Sequence, residues 1–247
     1  MYSVVIFPLY LFPFSPPFLY TIPMLQGISA VAFDLDGTLY PNYRLNIRLL
    51  PFLCRHGRLL SALGKARTII RREQEQSPTS VRLDFYDYQA QITAALLRAP
   101  PEQIQEKIDH LIYRGWERHF SHIKLFPHVR ETLAELRAAG IKRGLLSDFP
   151  PQIKLEKLGL ADCWDTVLCS EYIGAIKPAI QPFLELANTL GCPPEQILYV
   201  GNSRRYDEAG ARRAGMKTAL ITRRRARKTK ADFIFHDYRQ LRDYVLH

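Results

Sequence analysis

Two aspartates stand two positions apart directly after a short apolar run, in segment 31–39 (VAFDLDGTL). Alternate side chains of a strand share one face, and Gly37 allows a sharp turn, so Asp34 and Asp36 can converge where the strand ends. Two carboxylates so close repel one another unless a cation lies between them, and hard oxygen ligands favour Mg²⁺ together with a phosphorylated substrate. The pair therefore indicates phosphate chemistry, although an Asp-Gly turn after a strand is also common without any catalytic role.

Three further fragments carry polar side chains that could act on a phosphate group. Ser147 ends a second apolar run, and its hydroxyl can donate to a phosphate oxygen. Lys177 precedes a proline, and its ammonium would neutralise charge on a transferring phosphoryl group. Taken alone, each has a structural explanation, a helix cap for the serine and a surface turn for the lysine. The last fragment, 199–216 (YVGNSRRYDEAGARRAGM), contains Asn202 and Asp207.

In order and spacing these fragments resemble the four motifs of the haloacid dehalogenase-like hydrolases, over about residues 28 to 222. The resemblance implies that Asp34 is the nucleophile and that Asp36 is the general acid and base. It also implies that Ser147 and Lys177 bind the phosphate group. The branch that it resembles is the phosphatase branch with a helical cap, which includes phosphoglycolate phosphatase-like and pyrimidine nucleotidase-like members.

The same resemblance implies a Mg²⁺ site formed by Asp34, Asp36, Asn202 and Asp207. Asn202 departs from the family pattern, because an aspartate is usual there. Its amide oxygen can still bind a metal but supplies no charge, so we expect a lower metal affinity. The dehalogenases of the superfamily work without a metal and replace the second aspartate of the first motif. Because Asp36 is present, a phosphatase is the better interpretation.

Composition limits the remaining classes. The chain has 247 residues, is 47% hydrophobic and 23% charged, and carries a net charge of +10, which favours anionic partners. Six basic residues lie within positions 223–230, where a solvated loop is the simpler explanation and nucleic-acid binding the alternative. The four cysteines form no Cys-x-x-Cys pair, so the sequence indicates neither a zinc site nor a disulfide framework. We expect a cytoplasmic enzyme.

The first 23 residues are apolar and rich in proline, and no charged residue occurs before Asp34. The stretch lacks the basic start of a secretory signal, and its prolines would interrupt a membrane-spanning helix. One interpretation is that translation begins at Met24, which leads directly into the first strand. The alternative is a hydrophobic anchor that holds the enzyme at a membrane.

Helical periodicity dominates residues 41–121. Ile104, Ile108, Leu111, Ile112 and Trp116 recur at intervals of three and four, a second helix is predicted around Leu83, Ile92 and Leu96, and residues 44–75 predict one or two more. After residue 127, helical patterns alternate with short apolar runs at 141–147, 165–169, 197–200, 219–222 and 233–235. Such alternation predicts a parallel sheet covered on both faces, with ligands bound at the carboxyl ends of its strands.

The predicted architecture is an α/β, Rossmann-like core, residues 24–40 and 122–247, with an all-helical cap inserted at 41–121. The predicted function is Mg²⁺-dependent hydrolysis of a small phosphorylated metabolite through an aspartyl-phosphate. Three alternatives remain: a phosphomutase, a catalytically weak or inactive relative that binds a phosphorylated ligand, and a basic protein associated with nucleic acid.

Overall fold

A computed structural model describes residues 27–77, 80–115, 120, 123–222 and 229–247. The apolar extension, residues 1–23, and most of the basic cluster, residues 223–228, lie outside these ranges, and so do the predictions made for them. Across the described part of the chain, none of the helices has the length and apolar character needed to cross a membrane.

Six parallel strands form one sheet. They are β1 (Ala30–Phe33), β2 (Lys142–Ser147), β3 (Thr166–Cys169), β4 (Ile197–Gly201), β5 (Lys217–Ile221) and β6 (Phe233–Phe235). Their order across the sheet is β3-β2-β1-β4-β5-β6, so β1 and β4 lie at its centre. The predicted fold class, a parallel Rossmann-like sheet with flanking helices, is confirmed.

Helices occupy the connections between the strands. Between β1 and β2 lie α1 (Asn42–Gln76), α2 (Phe85–Leu97), α3 (Pro101–Ile108) with a π-helical turn (Asp109–Tyr113), and α4 (Val129–Ala138). The later helices are α5 (Gln152–Leu158), α6 (Ser170–Ile173), α7 (Gln181–Leu190), α8 (Ala209–Arg213) and α9 (Tyr238–Leu246). Helix α1 is kinked at His56, where φ is −117°.

One predicted helical residue lies outside its helix. Leu83 is 98% exposed and precedes the start of α2 at Phe85. Helical hydrogen bonding begins only at Asp84, whose carbonyl oxygen accepts the Tyr88 N–H at 2.9 Å. Before it, the main chain is bound outside the helix, since the N–H of Arg82 donates to the carbonyl oxygen of Gly174 at 2.9 Å. Trp116, which ended the predicted pattern that begins at Ile104, lies outside the described residues.

The two faces of β1 contribute to two hydrophobic cores. Val31 and Phe33 point to the face covered by α4 and α9, and Ala30 and Ala32 point to the face covered by α7 and α8. Strands buried on both faces have nearly continuous apolar sequences, which is the signal that predicted them. The sheet is therefore a rigid support for the polar residues that follow its strands.

Helices α1, α2 and α3 form a further core of their own. Leu59 and Leu63 of α1, four residues apart on one helix face, pack with Ala94 of α2 and with Ile104 and Ile108 of α3. These contacts hold the three helices together as one layer beside the sheet.

A buried ion pair joins this helical layer to the sheet. Nη1 of Arg67 in α1 contacts Oε1 of Glu171 in α6, and both side chains are buried. The same guanidinium donates to Gln89 Oε1 at 2.9 Å, and its Nη2 lies 3.5 Å from Asp148 Oδ2. Removing one member of a buried ion pair leaves the other charge uncompensated, so the loss of either side chain should be strongly destabilising.

We expect Arg67→Met to lower the free energy of unfolding by about 3–5 kcal/mol, because Glu171 would keep a buried charge without its partner. Urea unfolding followed by circular dichroism measures the change. The double variant Arg67→Met/Glu171→Leu should recover part of the loss, since an apolar pair leaves no unpaired charge.

The control is Arg114→Met, which removes an exposed ion pair with Asp109 and should change stability little. Strictly additive losses in the double variant, or equal losses for Arg67→Met and the control, would show that the buried pair does not tie the helical layer to the sheet.

Candidate active site

The first aspartate of the pair is buried at the end of the central strand. Asp34 extends the pairing of β1, since its N–H donates to the Val200 carbonyl oxygen at 2.9 Å. Its Oδ2 accepts a hydrogen bond from the Thr38 hydroxyl at 2.6 Å. Between the two residues, Gly37 has φ +89°, a conformation that glycine adopts without strain. The turn thus brings Thr38 back to orient the Asp34 carboxylate.

One ammonium group joins the carboxylates of two separate motifs. Lys177 Nζ lies 2.6 Å from Asp34 Oδ1 and 2.8 Å from Asp207 Oδ1. It also lies 3.3 Å from the Leu146 carbonyl oxygen and 3.3 Å from the Tyr199 hydroxyl. All of these groups are buried except for small fractions of their surface. Because charges attract one another more strongly where water is excluded, the ammonium holds both carboxylates at this place.

Asp207 also fixes the loop that follows β4. Its Oδ2 accepts the main-chain N–H groups of Asn202 and of the next residue, at 3.1 and 3.0 Å. The loop needs glycine at position 201, because a Cβ on Gly201 would lie 2.3 Å from Asp207 Cβ. The loop in turn places the Asn202 side chain, whose Nδ2 donates to the main-chain oxygen of Asp36 at 2.8 Å.

The second aspartate of the pair is more open than the first. The side chain of Asp36 is 29% exposed, whereas that of Asp34 is 10% exposed. Lys154 Nζ lies 2.8 Å from Asp36 Oδ1 and 2.6 Å from Oδ2, and the Tyr40 hydroxyl donates to Oδ1. A carboxyl group with this access can exchange a proton with a leaving group or with water.

A cavity of about 320 Å³ opens where these side chains meet. Five of the six predicted site residues line it: Asp34, Asp36, Lys177, Asn202 and Asp207. The sixth, Ser147, is buried at the end of β2, does not line the cavity, and accepts the N–H of Phe149 with its Oγ at 3.3 Å. The carboxyl edge of the sheet therefore brings five of the chosen side chains to one cavity.

Two arginines of α1, which no sequence pattern indicated, also reach this edge. Arg71 Nη2 donates to Asp148 Oδ2 at 2.9 Å, and its Nε donates to the Lys177 carbonyl oxygen at 2.7 Å. The Arg71 guanidinium also lies 4.3 Å from the centre of the Tyr206 ring, which lines the cavity. Arg67 and Arg71 are four residues apart on one helix, a spacing that places both on the same face.

The buried charges shift one another's protonation. Burial raises the pKa of Asp34 to about 7 against the opposing effect of Lys177, and the Asp207 charge adds to the rise. Burial alone would lower the pKa of Lys177, but the charges of Asp207 and Asp34 outweigh it and raise that pKa. The ammonium therefore stays protonated, and a single positive charge serves two carboxylates.

The oxygen atoms around Asp34 fit a hard divalent cation. The donors are the carboxylates of Asp34 and Asp207, the main-chain carbonyl of Asp36 and the carboxamide of Asn202. The packing beside them is close, since a Cβ on Gly37 would lie 2.0 Å from Asn202 Nδ2. No group of three or more His, Cys, Asp or Glu side chains that could hold a metal occurs in the described ranges. Any such ion would thus depend partly on carbonyl and amide oxygens.

Comparison with known proteins agrees with this arrangement. The profile of the haloacid dehalogenase-like hydrolase family matches residues 28–215. A glyceraldehyde 3-phosphate phosphatase of Methanopyrus kandleri is 32% identical over 202 residues, which are 79% of this chain and 84% of that protein. A phosphoglycolate phosphatase of Salmonella paratyphi A is 28% identical over 217 residues, 80% of this chain and 82% of the other. A solved HAD phosphatase from Thermococcus onnurineus is similar with a TM-score of 0.58 and 28% identity, covering 87% of this chain and 96% of its own.

The raised pKa of Asp34 predicts that this residue lowers stability above neutral pH. Because the folded-state pKa of about 7 exceeds the ordinary value of 3.8, the folded protein binds the proton more tightly, and the free energy of unfolding falls as pH rises between those values. With a chelator present, Asp34→Asn should therefore unfold at least about 2–4 °C above the unaltered protein at pH 8. The gain should shrink at pH 5.

Thermal unfolding monitored at both pH values tests this, with Asp162→Asn, an exposed carboxylate before β3, as the control. If Asp34→Asn gains stability equally at both pH values, or loses stability at pH 8, the ionised Asp34 carboxylate does not destabilise the folded protein.

Proposed function

The chain belongs to the haloacid dehalogenase-like hydrolase family, and from that membership we propose that it hydrolyses a small phosphate monoester through an aspartyl-phosphate intermediate. One observation carries the proposal: the Lys177 ammonium lies between Asp34 and Asp207 at a cavity on the carboxyl edge of the sheet, and Asp36 lines the same cavity. Relatives named as phosphatases, and the presence of Asp36, favour phosphate esters over haloacids.

In the first step, a carboxylate oxygen of Asp34 attacks phosphorus while the ester oxygen leaves. Asp36 gives its proton to that departing oxygen, which becomes an alcohol. Lys177 and Thr38 hold the Asp34 carboxylate in a fixed orientation, so little reorganisation is needed before attack. The Lys177 ammonium, which lines the cavity, is assigned to stabilise charge on the equatorial phosphoryl oxygens. The Ser147 hydroxyl would share this role only if its Oγ moved into the cavity, which it does not line here.

In the second step, water releases the enzyme. Asp36, now a carboxylate, takes a proton from water as the water oxygen attacks phosphorus, and the bond between phosphorus and the Asp34 oxygen breaks. Phosphate leaves, Asp34 is a carboxylate again and Asp36 carries the proton for the next cycle. The greater exposure of Asp36 supports this role, because its proton must pass to groups that enter from solvent.

We assign Mg²⁺ as the cofactor, held by the Asp34 and Asp207 carboxylates with oxygens of Asp36 and Asn202. When bound, it would neutralise charge on the substrate phosphate and on the transferring group. The excess of carboxylate over ammonium charge around Lys177 supports this assignment.

The size of the cavity supports a small substrate. Its volume of about 320 Å³ lies at the lower end of the usual range for ligand sites, about 300–1,000 Å³. Tyr206 lines this cavity, and Arg71 of α1 packs on the Tyr206 ring. The helical layer therefore reaches the edge of the cavity, where a cap would exclude water during transfer. The phosphatase relatives are named for phosphoglycolate and for glyceraldehyde 3-phosphate, and we propose a phosphorylated metabolite of similar size.

A second candidate function is non-catalytic binding of a phosphorylated ligand. The observation that favours it is Asn202, which donates its amide N–H to the Asp36 carbonyl oxygen instead of offering a carboxylate. Saturable binding of a phosphate ester without release of phosphate, with Mg²⁺ present, would favour this function over hydrolysis.

We expect Asp34→Asn to lower phosphate release from small esters at least about a thousandfold, because an amide cannot form the aspartyl-phosphate. Released phosphate is measured over a panel of phosphorylated metabolites with Mg²⁺. Asp162→Asn, which removes an exposed carboxylate far from the cavity edge, should keep full activity. Unchanged turnover by Asp34→Asn would refute the nucleophile assignment.

We expect Asn202→Asp to bind Mg²⁺ about tenfold more tightly, since a carboxylate replaces a neutral oxygen donor. The rise in unfolding temperature on adding Mg²⁺ reports binding independently of activity. Asn188→Asp in α7 adds the same charge at an exposed position and serves as the control. If both variants respond to Mg²⁺ like the unaltered protein, position 202 does not contact the ion.

A further inference from the structure

Among the cationic side chains of the described structure, Lys154 lies closest to the Asp36 carboxylate. Its Nζ lies 2.8 Å from one carboxylate oxygen and 2.6 Å from the other. Lys154 stands in the first turn of α5, the helix that follows the loop after Ser147, and it is only 8% exposed. A buried lysine bound to both oxygens of one carboxylate fixes the plane of that carboxyl group.

Two aromatic rings lie near the ammonium and help to fix its position. The centres of the Phe120 and Phe149 rings lie 5.3 and 5.7 Å from Lys154 Nζ, within the range of cation–π attraction. The next residue of the helix, Leu155, is anchored in the core cluster beside the sheet. The lysine is therefore held by its own helix and by the rings.

Tyr40 supports the same carboxyl group. It is fully buried, its hydroxyl donates to Asp36 Oδ1, and its ring packs edge-on against Phe120 at 6.0 Å. Tyr40 and Lys154 thus contact Asp36 and share Phe120 as a neighbour. Together they leave the carboxyl group little freedom to rotate.

Lys154 reaches Asp36 from behind the cavity. Asp36 and Phe149 line the cavity, whereas Lys154 and Tyr40 do not. A side chain that contacts the acid without lining the cavity acts on the substrate through the acid. This placement distinguishes Lys154 from Lys177, which lines the cavity and contacts Asp34.

We infer that Lys154 is a positioning residue for the proposed general acid, holding the Asp36 carboxyl group in line with the leaving-group oxygen. The inference rests on the proposed function. A misplaced acid slows proton transfer to the leaving oxygen. This lowers the rate when the leaving group is a poor one such as an alcohol, but has little effect when the leaving group departs as a stable anion. Loss of Lys154 should therefore change the preference between leaving groups.

The test compares kcat/KM for glycerol 2-phosphate, an alkyl ester, with that for p-nitrophenyl phosphate, whose nitrophenolate needs no proton to leave. Because kcat/KM reports the steps up to cleavage of the ester bond, later hydrolysis of the aspartyl-phosphate does not mask the effect. We expect Lys154→Met to lower kcat/KM for the alkyl ester by about 10–100-fold and for the aryl ester by less than about threefold.

Matched variants separate positioning from a general structural role. Lys154→Arg should keep most of the alkyl ester activity, because a guanidinium can donate to both oxygens of a carboxylate. Lys154→Gln, which can donate one hydrogen bond, should shift the preference in the same direction by less and serves if the methionine variant does not fold. Lys157→Met, on the exposed face of the same helix, should leave both substrates unaffected.

Equal losses on the two esters, or no loss on either, would overturn the inference, and so would a raised KM with an unchanged leaving-group preference. Asp36→Asn tests the assignment of Asp36 as the general acid, on which the inference rests. If it shows no leaving-group preference while Asp34→Asn is inactive, the acid assigned to Asp36 is wrong and the inference fails with it, but the nucleophile stands. If the unaltered protein releases phosphate from neither ester, the proposed function fails as well.

Discussion

The attraction between one buried ammonium and two carboxylates organises the site. Lys177 bridges Asp34, at the end of the central strand, and Asp207, in the turn after β4, with little access to water. Asp207 fixes the loop that carries Asn202, and the main chain of Lys177 is bound in turn by Asp148. Because Arg67 and Arg71 approach Asp148 from α1, the position of the helical layer depends on the same network of charges.

The sequence indicates much of this arrangement for a physical reason. Strands buried on both faces require apolar runs, and parallel strands point their carboxyl ends to one edge, so polar residues placed after such runs must lie near one another. Asp34, Asp36 and Asn202 are identifiable in this way, and Lys177 and Asp207 are identifiable by motif resemblance. Ser147 was identifiable too, but the structure turns its Oγ towards a main-chain N–H of the following loop.

Other contacts leave no pattern in the sequence. Lys154 looks like any lysine on a short helix, as Lys157 does, and only the tertiary fold shows that the first is buried against Asp36 while the second is exposed. The environment of Asp148 depends on arginines far away in the chain. Leu83 shows the converse, because the main chain at Arg82 is bound to Gly174 and helical hydrogen bonding begins only at Asp84, so the helix is shorter than periodicity predicts. Long-range ion pairs and main-chain contacts override local preference in each case.

In the proposed mechanism, Asp34 carries the phosphoryl group during turnover. The most direct measurement is an acid quench during hydrolysis of a phosphate ester, followed by mass spectrometry of the peptide that contains Asp34. We expect a phosphoryl group on Asp34 that forms early in the reaction and is absent from Asp34→Asn. Steady release of phosphate with no phosphorylated aspartate at any quench time, or phosphorylation at another residue, would contradict it.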